Sequence, residues 1–242
     1  LQMNKLLFIL LISGLFFASC NNAKTGDLNI VFQANYGDEV LEFGKTYNQL
    51  DGTAFTIIRS DFFMSDVRMI KDDGTEEFLS DLEQIDFDSS PGGIKVSFED
   101  VDATNYESIK FSIGLLPDVN ATQPSDYDAA SPLANAGYYW SAWDSYIFTK
   151  TEGRVDDGTG SITTGWIFHT GKDELLTDVT INVDRSVKGD ELNEFRIVMD
   201  HKGLFEENGE AVELGINHDP SSIGILASFI DRMADSFTAE SN

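Results

Sequence analysis

Val179-Thr180-Ile181-Asn182-Val183-Asp184 decides the fold class, because apolar and polar side chains alternate residue by residue. A period of two sends one set to each face of a strand, one face buried and the other wet, as in antiparallel sheets solvated on one side. Working outward, the pattern recurs at Ile94, Val96 and Phe98, at Ile109, Phe111 and Ile113, and at Phe195, Ile197 and Met199. Upstream, Leu28, Ile30 and Phe32 alternate with Asn29, Val31 and Gln33. Phe55 and Ile57 open a further run that Phe62, Met64 and Val67 continue. Asp51-Gly52, Asp73-Gly74, Pro91-Gly92-Gly93, Asp157-Gly158 and Asn208-Gly209 supply turn signals between the runs. The spacing predicts an all-β domain, an antiparallel β-sandwich or open barrel.

Two stretches depart from this pattern. Residues 116–146 carry Pro117, Pro124 and Pro132 with many aromatic side chains, and are expected to form a long aromatic loop with a functional role. Near the C-terminus, Ile223, Leu226, Ala227, Ile230, Ala234 and Phe237 fall at helical spacing. This predicts an amphipathic helix packed on the sheet and capped by Ser221 or Ser222.

The N-terminal residues point to export. Lys5 precedes an apolar run over residues 6–17, broken only by Ser13 and Gly14, and Phe17-Ala18-Ser19-Cys20 closes it. That order reads as a secretory signal, and the run is shorter than the ~20 residues of a comfortable membrane span. Leu1 and Gln2 precede Met3 and carry no signal of their own. The expected division is a signal peptide over 1–19, a polar tether over 20–26 and a β-domain over 27–242. Cys20 is the only cysteine. The small residues before it resemble a bacterial lipobox, with Phe17 where Leu is usual. An acylated Cys20 would anchor the chain to a membrane surface in the cell envelope, with the outer membrane expected. Ordinary signal cleavage with a free thiol is the other reading. Acylation leaves the mature domain without disulfides or thiolate ligands.

Cleavage before Cys20 would remove Lys5 and no acid, moving the formal charge from −26 to −27. Such a charge argues against nucleic acid and anionic lipid as partners and favours cations or a basic protein. Asp156-Asp157-Gly158-Thr159-Gly160 lacks the spacing of a calcium loop and reads as a turn. No Ser-His-Asp order, phosphate-binding glycine loop or His-Glu-x-x-His is present. No catalytic residue is assigned, and the chain is expected not to be an enzyme. A hydrolase working through paired carboxylates would need a cleft that one sequence does not reveal.

The remaining signal is aromatic. Tyr138-Tyr139-Trp140-Ser141-Ala142-Trp143 runs on to Tyr146, Phe148 and Glu152-Gly153, and Gly165-Trp166-Ile167-Phe168-His169-Thr170-Gly171 follows. This block resembles the MbnP-like family of exported copper-binding proteins. The likeness extends to Asn29-Ile30-Val31-Phe32, Gly44-Lys45-Thr46-Tyr47 and Phe62-Phe63-Met64-Ser65-Asp66-Val67-Arg68. It implies a site where imidazoles hold copper and a tryptophan oxidised to kynurenine lends a further nitrogen. It also implies a di-haem partner resembling cytochrome c peroxidases, which performs that oxidation, and an outer-membrane transporter in copper acquisition. Carried onto this sequence, His169 is the first ligand candidate, and Trp140 and Trp143 are the candidates for modification.

The residues read by themselves leave alternatives open. An unmodified indole nitrogen is only a donor, so a tryptophan can ligate only after chemistry on it. Imidazole nitrogens in low number suit cuprous copper and suit calcium poorly. The chain has three histidines, His169, His201 and His218. His169 either ligates or hydrogen-bonds a loop. His218 lies in Asn217-His218-Asp219-Pro220; it is a second ligand whose ring Asp219 orients, or part of an exposed turn. His201 is expected at the surface. Trp140 and Trp143 are modified residues or an aromatic plug over the sheet, and their separation lets the rings serve different faces of a loop. The competing function is a ligand-binding or adhesion β-domain without metal. Convergence of His169 and His218 beside Trp140 or Trp143 discriminates the two.

Overall fold

The alternating segments become neighbouring strands in a computed structural model, which describes residues 24–90 and 93–240. Cys20, the signal segment and most of the tether lie outside the described residues. The main elements are β1 (Thr25–Tyr36), β2 (Ala54–Lys71), β3 (Glu76–Asp86), β4 (Ile94–Asp102), β5 (Asn105–Ile113), β6 (Tyr139–Trp140), β7 (Ser145–Asp156), β8 (Ile162–Gly171), β9 (Thr177–Ser186), β10 (Leu192–Asp200), β11 (Ile216–Asn217), α1 (Ile223–Asp235) and β12 (Phe237–Ala239). They form an all-β sandwich with one C-terminal helix. The smaller sheet centres on β1, flanked by β10 and β4, with β12 beyond β10. The larger runs β9, β5, β2, β7, β8, β11, with β3 also on β2 and β6 on β7. No described helix is long and apolar enough to cross a membrane.

Two pairings are parallel, β1 with β10 and β8 with β11. A sequence period of two is blind to strand direction, which only the distant partner fixes. The sheets meet through interdigitated aromatics: Phe111 stands edge-on to Phe32 at 6.2 Å and to Phe237 at 5.5 Å, and Phe237 meets Phe62 at 5.7 Å. Burial of such side chains contributes roughly 1.5–3 kcal/mol each.

β2 is the spine of the larger sheet. Its first half pairs with β7 and its second with β5. Asp66 takes a left-handed backbone, φ 52°, at a bulge where the β5 register shifts between Ser65 and Arg68. That extra residue explains why the buried set steps from Met64 to Val67.

The helix forms as its spacing predicts. Leu226, Phe229, Ile230 and Met233 are buried, and Phe229 stacks on Phe168 of β8 at 4.7 Å. Two details are corrected. Phe237 lies beyond the helix, in β12 opposite Met199. The serines do not cap the start with their side chains: Asp219 Oδ1 instead accepts from Ser221 N at 2.8 Å, in the 3₁₀ turn before the helix.

Candidate metal centre

The long aromatic loop is a chain of short turns: a helical turn over Pro117–Asn120, then 3₁₀ turns at Pro124–Asp126, Pro132–Ala134 and Ala136–Tyr138. It covers the outer face of the larger sheet, where Leu133, Tyr138 and Tyr146 pack with Phe63, Leu115 and Phe148 in a second small core. The loop is pinned by polar contacts. Buried Asn120 accepts from Tyr146 N at 2.9 Å and donates to Asp173 at 2.8 Å. Tyr146 OH donates to Leu133 O at 3.2 Å.

β6 closes this loop as a hairpin with the start of β7, pairing Trp140 with Ser145. Trp143 N donates to Trp140 O at 3.0 Å. This tight turn brings both indoles to one side, where they stack at 5.5 Å with an interplanar angle of 4°. The expectation that the rings could serve different faces is therefore corrected. Trp143 is the buried member, 4% exposed, and its Nε1–H finds no acceptor among the described residues. Trp140 is half-buried.

His169 sits on β8 with its side chain toward the loop. The parallel pairing of Phe168 with Asn217 delivers His218 beside it. The two imidazole centroids are 6.4 Å apart and the rings are nearly perpendicular, at 87°. The Trp140 indole stacks on His218 at 4.5 Å. His218, Trp140 and Trp143 thus form a three-ring stack with His169 at its end. An imidazole nitrogen bonded at about 2.0 Å sets its ring centroid about 3 Å from the metal, so two rings on one ion reach about 6.3 Å when nearly linear. The observed separation of 6.4 Å is close to that reach.

A carboxylate that sequence reasoning did not assign completes the geometry. His169 Nε2 lies 2.9 Å from Glu152 Oε1. The hydrogen bond from His169 holds the Glu152 carboxyl below the usual glutamate range. The ionised carboxylate only accepts, so the proton resides on Nε2 and Nδ1 keeps its lone pair for a ligand. Arg59 extends the array. Its Nη1 lies 4.0 Å from Glu152, its Nε 2.5 Å from Asp61, and its Nη2 donates to Tyr138 OH at 2.9 Å. Strand register could have suggested this, since Glu152 and His169 both point outward on adjacent strands; the sequence offers an orienting carboxylate only for His218, at Asp219. That side chain is taken up by Ser221, because an Asp two residues before a turn amide caps it readily.

His201 is not at the surface as expected. It is fully buried, 2.8 Å from Ser60 Oγ through Nε2, with Phe87 edge-on at 5.6 Å. Burial pushes its pKa down to about 4, so it is a neutral core residue apart from the other two histidines. Asp156 and Asp157 form the expected turn, accepting backbone and hydroxyl bonds from residues 158–160.

A model of the MbnP family matches residues 25–222. Among solved structures, MbnP from Methylosinus trichosporium aligns with 13% sequence identity and a TM-score of 0.57, covering 82% of each chain. No curated protein matches by sequence.

Proposed function

The chain belongs to the MbnP family, and from that premise we propose that it binds cuprous copper between His169 and His218. The observation that carries this reading is the convergence of two imidazoles at the tryptophan stack, their centroids 6.4 Å apart, with His218 4.5 Å from the Trp140 indole. His169 would ligate through Nδ1, held in that tautomer by Glu152. His218 would supply the second nitrogen, its ring plane fixed by stacking on Trp140. The aromatic wall limits water access, which favours the softer, singly charged ion.

Trp140 is the side chain we assign to oxidation. It is half-buried, so an external oxidant reaches it, whereas Trp143 beneath it is closed off. Conversion to kynurenine cleaves the indole C2–C3 bond and adds an oxygen at each carbon. Two equivalents of peroxide supply both oxygens and are reduced to water, and hydrolysis then releases C2 as formate. The product is an aryl amine with a lone pair that the indole lacked. A di-haem peroxidase-like protein would deliver the oxidising equivalents. An acylated Cys20 would hold the domain at the cell envelope, at the outer membrane, where it would serve copper acquisition together with a transporter.

Competition titration of the purified mature protein with a chromogenic cuprous chelator tests the site. His169→Ala and His218→Ala are each expected to weaken cuprous binding at least tenfold. Unchanged affinity in both variants removes copper from this pocket and leaves a metal-free β-domain. Peptide mass mapping of protein from its native cell is expected to place the kynurenine mass change at Trp140 and not at Trp143.

A further inference from the structure

A second group of donors sits on the other side of Arg59 from Glu152. Strand alternation assembles it. Asp61 of β2 faces Asp86 of β3 across their antiparallel pair. The 3₁₀ turn Phe87–Ser89 that follows keeps Asp88 with them, while Phe87 turns inward against Phe62 at 6.2 Å. One oxygen from each of Asp61, Asp86 and Asp88 lies within 4.8 Å of the other two.

Two of these carboxylates each carry a sealed oxygen without a donor among the described residues. The Asp61 side chain has no solvent exposure. Its Oδ2 takes the Arg59 bond, but its Oδ1 is sealed and has no hydrogen-bond partner among the described residues. Asp86 Oδ1 is likewise sealed and unpartnered. Native structures rarely leave a carboxylate oxygen in that condition, because desolvation is then uncompensated.

We infer that Asp61, Asp86 and Asp88 bind a hard divalent cation of calcium's size. The donor set is oxygen only, which suits calcium or magnesium and not cuprous copper. Calcium–oxygen bonds of about 2.3–2.6 Å place opposite oxygens of one shell up to about 5 Å apart, whereas magnesium at about 2.0–2.1 Å draws them to about 4.2 Å. Oxygens that lie within 4.8 Å of one another fit inside one calcium shell, and calcium's flexible coordination suits an irregular cage of side chains better than magnesium, which dehydrates reluctantly. Once ionised around a cation, three carboxylates beside the Arg59 guanidinium would leave two negative charges, which one divalent ion neutralises. Asp88 is exposed, giving the ion an entry path and leaving positions for water.

Calorimetric titration of chelator-stripped mature protein with calcium chloride tests this, with magnesium chloride for comparison. The expected result is one calcium per chain, bound at least tenfold more tightly than magnesium. Asp88→Asn and Asp86→Asn are expected to weaken calcium at least tenfold. Asp88→Asn should leave cuprous binding unchanged, and Asp157→Asn in the exposed turn should leave calcium binding unchanged. The assignment fails if the unmodified protein takes up no calcium. It fails equally if both cluster variants bind calcium as the unmodified protein does, since the ion then sits elsewhere on the acidic surface.

Discussion

A histidine's environment, more than its neighbours in sequence, decides what it can do here. His169 lies within β8 and His201 just beyond the end of β10, yet one is half-buried beside the tryptophan stack and the other is sealed. His201 has a folded pKa of about 4 against an ordinary 6.5 when unfolded, so the sign of its effect is fixed. Between those values the unfolded chain holds the extra proton, and stability falls as pH falls through the window. His201→Gln is expected to remove roughly 1 kcal/mol per pH unit of that slope between about pH 6 and pH 5. Chemical denaturation of both proteins across this range measures it, and equal slopes would show that His201 is protonated in the fold.

The site depends on close backbone approach between elements. β7 and β8 carry Glu152 and His169, and two glycines on them make room for tryptophans. A Cβ on Gly153 would stand 1.8 Å from Thr56 O and 2.4 Å from the Trp166 ring. A Cβ on Gly171 would meet Tyr146 O at 2.6 Å and the Trp143 ring at 3.2 Å. Gly171→Ala is therefore expected to force the strand ends apart and tilt Trp143, costing roughly 1–3 kcal/mol. Near-ultraviolet circular dichroism of the stacked indoles should change with it. An unaltered spectrum at unaltered stability would mean the strand ends yield freely. The hairpin of β6 and β7 and the parallel strand β11 come from segments distant in sequence, and only their packing on β7 and β8 joins the ligand candidates.

Charge belongs to the scale of the whole molecule. Forty-two acidic residues stand against 16 basic ones, and like charges at this density repel one another in the folded state more than in the expanded chain. Salt shortens the screening length from about 30 Å at 0.01 M to about 8 Å at 0.15 M. Raising sodium chloride over that interval is expected to raise the thermal midpoint of the mature protein, read by scanning calorimetry. A midpoint that falls would show that attractive ion pairs such as Arg59 with Asp61 outweigh the repulsion.

Alternation at Val179–Asp184 and its repeats was enough to specify strands in a sandwich or open barrel, and the spacing from Ile223 to Ala234 specified the C-terminal helix, because burial of one face is a local property with a fixed period. The Trp140–Trp143 block and His169 were legible too, as unusual residue types in a recognisable order. The chain alone did not show that His218 lies beside His169, that Glu152 orients it, that His201 is in the core, or that Asp61, Asp86 and Asp88 converge. Those facts rest on strand register and on the parallel pairing of β8 with β11. Register couples residues far apart in sequence, so only the tertiary structure decides them.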